Sequence, residues 1–381
     1  MAADPLVIDN GYGFRREGDV DAVPSRWAIA RAAKRLLAGD EQFYRFQACN
    51  HVAQKRTHGV GVYVKGETAW FSGVMRCGSV WICPICAPRV SALRGHEIQD
   101  AIDNAIRAGC GVSLVTNTIR HGASDVLVES LEKFAKAMRY FKSGRAAVAL
   151  RKRYGYRGEI KTLEVTHGQN GWHPHTHAIW ITDSPLHSED VARLQNDLFD
   201  IWVSSCAKSG FDAKSLPTRE HGVDVRGAKY AAEYVAKWGF ATELSGGQAK
   251  RGKKGRAPWQ LLADSLEGDK RAGWLWREFA QAFIGKRQLV WSRGLRASLK
   301  MPPELTEQEL MDLDDAREKK RQVIVLDLDT WHLVRATENQ EFLLTIALEG
   351  DRELKTWLNS LRCRVPMLDG RFVGARDDWV Q

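Results

Sequence analysis

Three histidines at spacing two, His173, His175 and His177, lie in Gly171-Trp172-His173-Pro174-His175-Thr176-His177-Ala178-Ile179-Trp180. Side chains alternate along an extended chain, so all three imidazoles project from one face of a strand. Same-face neighbours are about 6.6 Å apart, which lets two rings lean toward one ion at about 2.1 Å each. Imidazole suits Mn²⁺, Co²⁺ or Zn²⁺ better than Mg²⁺, so a carboxylate is expected to complete the set. Glu164, on the preceding β segment Ile160–Thr166, is best placed. Register decides whether it arrives. A five-residue link (167–171) sets Glu164 opposite Pro174, and a six-residue link (167–172) sets it opposite His175, on the histidine face. His167 is a reserve ligand.

A second group lies downstream. Tyr230 and Tyr234, in the helical stretch Lys229–Trp238, are spaced i,i+4 and stack on one face, with Lys237 on the same side. A phenol has a pKa of about 10, so a tyrosine attacking phosphorus needs a nearby cation to help remove its proton. Upstream, Cys77, Cys83 and Cys86 have the spacing of a zinc knuckle; Cys49 is the natural fourth ligand, and His51, His58 or His96 could take its place. Four thiolates close the coordination shell, so such a zinc is structural. Lys250, Arg251, Lys253, Lys254 and Arg256 concentrate positive charge in a Gly-rich loop suited to DNA phosphates. Its partial likeness to a nucleotide-binding P-loop fails because position 254 is Lys and no apolar strand precedes it. Trp172 and Trp238 flank the motifs and offer stacking surfaces for unpaired bases.

The elements that must position these groups follow from periodicity. Helices are expected over 26–46, 89–108, 126–141, 188–207, 229–238, 259–265 and 269–284, with strands over 111–120, 160–166, 172–182, 223–225 and 287–291. That order predicts an α+β fold, an antiparallel sheet with helices on one face and the other face free for a site. Residues 1–25 read as a flexible tail, 26–90 as a helix with a Cys-rich zinc-binding insertion, 91–300 as the site-bearing domain, and 301–381 as a small C-terminal module. The 381 residues carry a net charge of +9, which favours an acidic partner such as nucleic acid. Seven cysteines without a signal-peptide core point to a reducing cytoplasm. No apolar run approaches the length of a membrane span.

Together the motifs resemble the replication initiators of rolling-circle plasmids, within the HUH endonuclease superfamily. The likeness rests on Thr116-Asn117-Thr118, the His-Pro-His-x-His strand and the tyrosine helix followed by Lys237, over roughly residues 45–295. It implies a palm-like sheet and a divalent ion, Mg²⁺ or Mn²⁺, held mainly by His175 and His177. It further implies origin nicking by Tyr234, leaving a 5′-phosphotyrosine and a 3′-OH primer, with a host helicase as partner in a bacterial cytoplasm. Many such initiators carry Glu where this chain has Tyr230. That departure resembles two-tyrosine initiators of single-stranded DNA phages and two-tyrosine HUH transposases, so transposition is the alternative reading. Histidine-triad nucleotide hydrolases share the His-x-His-x-His pattern but need neither the tyrosine helix nor the cysteines.

Overall fold

The computed structural model describes residues 25–55, 57–214, 216–239, 255–317, 321–364, 367–368 and 371–372. Its strands are β1 (Val60–Lys65), β2 (Thr68–Ser72), β3 (Gly111–Thr118), β4 (Tyr156–Gly168), β5 (Gly171–Thr182), β6 (Val223–Gly227), β7 (Leu289–Trp291), β8 (Arg321–Leu326), β9 (Met367–Leu368) and β10 (Arg371–Phe372). The described residues fall into two compact units, one of 25–36 with 80–306 and the other of 37–79 with 307–372.

The larger unit is organised by an antiparallel sheet of order β6-β3-β5-β4-β7. At its centre β4 and β5 make a long hairpin that closes on Gly168↔Gly171, leaving only Gln169 and Asn170 in the turn. The link is shorter than the expected five or six residues because glycine at both ends permits a tight turn; Gly171 takes a φ of +81°, accessible mainly to glycine. The resulting register sets Glu164 opposite His175, as the even-numbered alternative required.

Strand β5 is apolar at both parities beyond the histidines, so it must be covered on both sides. Ala178 and Trp180 join Val115 and Val225 under Phe134, Phe141, Leu194 and Trp202, from helices Leu127–Ser143 and Ser188–Lys208. Ile179 and Ile181 join Leu114 and Leu289 against Ile98, Ile102, Ala231 and Val235, from helices Cys86–Arg107 and Ala228–Gly239. This corrects the expectation of helices on one face. An apolar helical stripe shows that a helix buries one side, but not which face of the sheet receives it. The histidines share parity with Ile179 and Ile181, so the tyrosine helix packs on their face.

The expected helix 26–46 is broken. Arg26–Leu36 is helical, Gly39 turns the chain at φ +79°, and a short turn restarts at Glu41 with the Asp40 side chain accepting from the Gln42 N–H. In the smaller unit, β1 pairs with both β2 and β8. Residues beyond β8 add helices Leu328–Ala336, Gln340–Glu349 and Asp351–Arg364. Trp331 is buried there, edge-on to Phe71, with its indole N–H donating to the His51 carbonyl. Among the described residues no helix is long and apolar enough to cross a membrane.

Candidate active site

Sheet register builds the site as two rows. One runs Thr162, His177, Thr116 and Asp224 across β4, β5, β3 and β6. The next runs Glu164, His175 and Thr118 across β4, β5 and β3. Glu164, His175 and His177 each offer a ligand atom, and these atoms lie within 4.8 Å of one another. Glu164 Oε2 is 3.5 Å from His175 Nε2 and 3.7 Å from His177 Nε2.

The opposite edges of both rings are engaged. His175 Nδ1 donates to the His173 carbonyl at 3.1 Å, and His177 Nδ1 lies 2.9 Å from Thr116 Oγ1. Holding Nδ1 in this way turns each Nε2 toward the shared space, the arrangement a metal-binding imidazole needs. The donor set, two imidazoles and one carboxylate, fits Mn²⁺ well and Mg²⁺ with added water.

Charges within the cluster attract. Burial works against the ionised Glu164 carboxylate, but His175, His177 and the Tyr234 hydroxyl outweigh it and bring the pKa down to about 2. Burial likewise disfavours the His175 imidazolium, yet its bond to Glu164 raises that pKa. For His177 burial prevails and the pKa falls, although Glu164 and Asp224 pull upward.

Tyr234 reaches the same point from the helix above. Its hydroxyl donates to Glu164 Oε1 at 2.6 Å and lies 2.6 Å from Thr162 Oγ1. Its ring centre is 4.7 Å from that of His177. Burial and the Glu164 charge hold the phenol well above its ordinary value, so it is protonated at neutral pH in this arrangement.

The other expected residues lie elsewhere. His173 shares the histidine face but stands outside the ligand group; it stacks between His121 and His175, at 4.7 and 5.0 Å between ring centres. Burial, then its histidine neighbours, press its pKa down to about 4. Tyr230 is 45% exposed, with the Arg226 guanidinium 5.0 Å from its ring centre. His167 packs edge-on against Trp172. Trp172 itself is 2% exposed and donates to Glu278 Oε2 at 2.9 Å, so it is a core residue and not a stacking surface. The Lys237 and Trp238 side chains, and Lys250, Arg251, Lys253 and Lys254, lie outside the described residues. Arg256 lies within them, bonded to Asp264 at 2.8 Å and Asp269 at 3.0 Å.

Beside the cluster lies a cleft of about 1270 Å³ whose lining includes Arg120, Arg226, Arg256, Arg271, His121 and His173. Next to it the hairpin turn approaches the loop after His121: a β-carbon at Gly171 would come within 2.7 Å of the Gly122 carbonyl oxygen. Sequence reasoning missed Thr162 and Asp224, and took Thr116 only as part of a motif. Same-row placement on neighbouring strands was the available signal.

Cys49 and Cys77 fall in the smaller unit, and Cys83 and Cys86 in the larger. Cys49 Sγ accepts from the Cys77 N–H, and Cys83 Sγ from the Cys86 N–H, each at 3.4 Å. Backbone donation to sulfur favours the thiolates that zinc requires.

No family model and no solved structure matches the chain. It is 30% identical to Protein rep of Streptomyces lividans over an alignment of 334 positions, covering 69% of this chain and 73% of that relative. It is also 33% identical to a Neomycin resistance protein of Streptomyces cyanogenus over 132 positions, which cover 28% of this chain and 30% of that protein.

Proposed function

The chain belongs to the Rep family of plasmid replication proteins, and from that premise we propose that it starts replication by nicking one DNA strand with Tyr234 as nucleophile. The convergence of Tyr234, Glu164, His175 and His177 on one point carries this reading. His175, His177 and Glu164 would hold a divalent cation, Mg²⁺ or Mn²⁺, which supplies Lewis-acid polarisation of the scissile phosphate.

The chain's own groups then do the rest. Glu164 Oε1 accepts the Tyr234 hydroxyl hydrogen and fixes the direction of the phenol oxygen. As that oxygen bonds to phosphorus, the bond from phosphorus to the 3′ oxygen breaks, and the leaving oxygen takes a proton to become the 3′-OH primer. The 5′ phosphate remains on Tyr234. One phosphoester replaces another, so no nucleotide hydrolysis is needed.

The arginine-lined cleft takes the DNA strand, with the basic stretch 250–256 as a further phosphate contact. Arg226 lines that cleft and also covers the Tyr230 ring, so a second phosphate drawn to Arg226 meets the Tyr230 phenol, the proposed acceptor for a later transfer. The four cysteines would hold a structural zinc, and a host helicase would open the duplex beyond the nick.

The test is incubation with Mn²⁺ and a single-stranded oligonucleotide carrying the origin region of the replicon that encodes the chain. A covalent adduct mapping to Tyr234 is expected. Formation of that adduct by Tyr234→Phe at the wild-type rate would sink the assignment.

A further inference from the structure

The helix Lys270–Ala282 buries Ala272, Leu275, Trp276 and Phe279, followed by Phe283, at the 3.6-residue period of a core-facing stripe. Trp274 falls on the opposite side and is 67% exposed, the most exposed of the large hydrophobic side chains among the described residues. An indole left in water forgoes about 2 kcal/mol of burial, so a surface that keeps one in place invites a partner for it.

Its surroundings say what that partner is. Lys270 is four residues before it, Arg277 three after and Arg271 three before, all exposed. Residues at these spacings are neighbours on a helix surface. The ring is therefore bordered by three cations, and the acidic neighbour at i+4, Glu278, is engaged by the Trp172 indole and the Leu127 N–H. Arg271 also lines the cleft beside the metal-ligand cluster. The indole thus lies one helical turn along from a residue that a strand in the cleft would touch.

The platform is also fixed relative to the site. Glu278, on the same helix, accepts the Trp172 indole N–H at 2.9 Å and the Leu127 N–H at 3.1 Å. Trp172 belongs to β5, the strand carrying the histidines, so helix and ligand strand are tied by a buried side chain.

We propose that Trp274, with Lys270, Arg271 and Arg277, is a stacking platform for an unpaired base of single-stranded DNA leaving the cleft. Cationic side chains hold the backbone, and the indole takes the face of a base, which duplex DNA does not offer because its bases are already stacked. The proposal rests on the DNA-nicking reading and extends it by assigning a contact to the strand outside the reacting phosphate.

Binding of oligo-dT of 8, 15 and 30 nucleotides to the full chain, wild type and Trp274→Ala, tests it. The substitution should weaken binding of the longest probe about tenfold and of the shortest little, within the range for one base–aromatic stack. Trp274→Phe should restore most of the loss, and a duplex of equal length should be insensitive to either change. Oligo-dT bearing 5-iododeoxyuridine should photocrosslink to Trp274. Equal affinity of wild type and Trp274→Ala for every length, while wild type binds, overturns the platform alone. Failure of wild type to bind any single-stranded probe overturns the nicking reading and the platform with it.

Discussion

Tyr234 and His177 lie ring against ring at 4.7 Å, while the Tyr234 hydroxyl bonds to the carboxylate that faces the His177 Nε2. The phenol and the two imidazoles therefore share Glu164, Oε1 meeting the Tyr234 hydroxyl and Oε2 facing the histidines. Tyr234→Phe should abolish the covalent adduct and leave DNA binding intact. Loss of the bonds to Glu164 and Thr162 should cost about 1–2 kcal/mol, read as a small fall in Tm. A collapse of the fold in Tyr234→Phe would instead make that tyrosine a structural residue.

Thr116 touches no substrate in this reading, but it holds His177 Nδ1. Thr116→Val should weaken Mn²⁺ binding about 10- to 100-fold in calorimetric titration, and Thr116→Ser should keep most of it. EDTA should stop nicking in the wild type. Activity that survives chelation would favour a histidine nucleophile working without metal.

Burial keeps His121 and His167 below the ordinary imidazole value of 6.5, and holds His173 at about 4. As pH falls below 6.5 the unfolded chain takes up protons that the folded chain refuses, so stability is greatest above 6.5 and declines on acidification. His175, with a raised pKa, acts in the opposite sense and offsets part of the decline. Tm should drop between pH 7 and 5, and His121→Phe should flatten the slope. Identical slopes in both proteins would remove His121 from the account.

Elemental analysis should find one zinc per purified chain. Cys83→Ser should lose it and melt several degrees lower, since structural zinc contributes directly to folding. His175→Ala should retain it. The reverse pattern would place the zinc at the histidines.

Much of the site was legible because strand parity is a rigid rule. It put His175 and His177 on one face and reduced Glu164 to a choice between two registers. It could not show that His173 stands apart, because membership of a face does not fix which two of three rings converge on a carboxylate. Tyr230 and Tyr234 were read as a pair for the same reason. Helix spacing puts both phenols on one side, but depth separates them, and only Tyr234 reaches Glu164. Trp172 looks available because its neighbours are catalytic candidates; its buried indole donates to Glu278, over a hundred residues away. Trp274 was within reach of sequence, since the apolar stripe of its helix leaves it on the outer side.

Gly171 has room for a hydrogen where any other residue would press on the Gly122 carbonyl. The turn of the histidine hairpin and the loop that follows His121 are thus braced against each other. In the proposed function, a nucleic-acid strand in the adjoining cleft would meet the two as a single stiff jaw rather than as two independent fingers. A methyl group at that one position would pry the jaw apart without altering any group that bears chemistry.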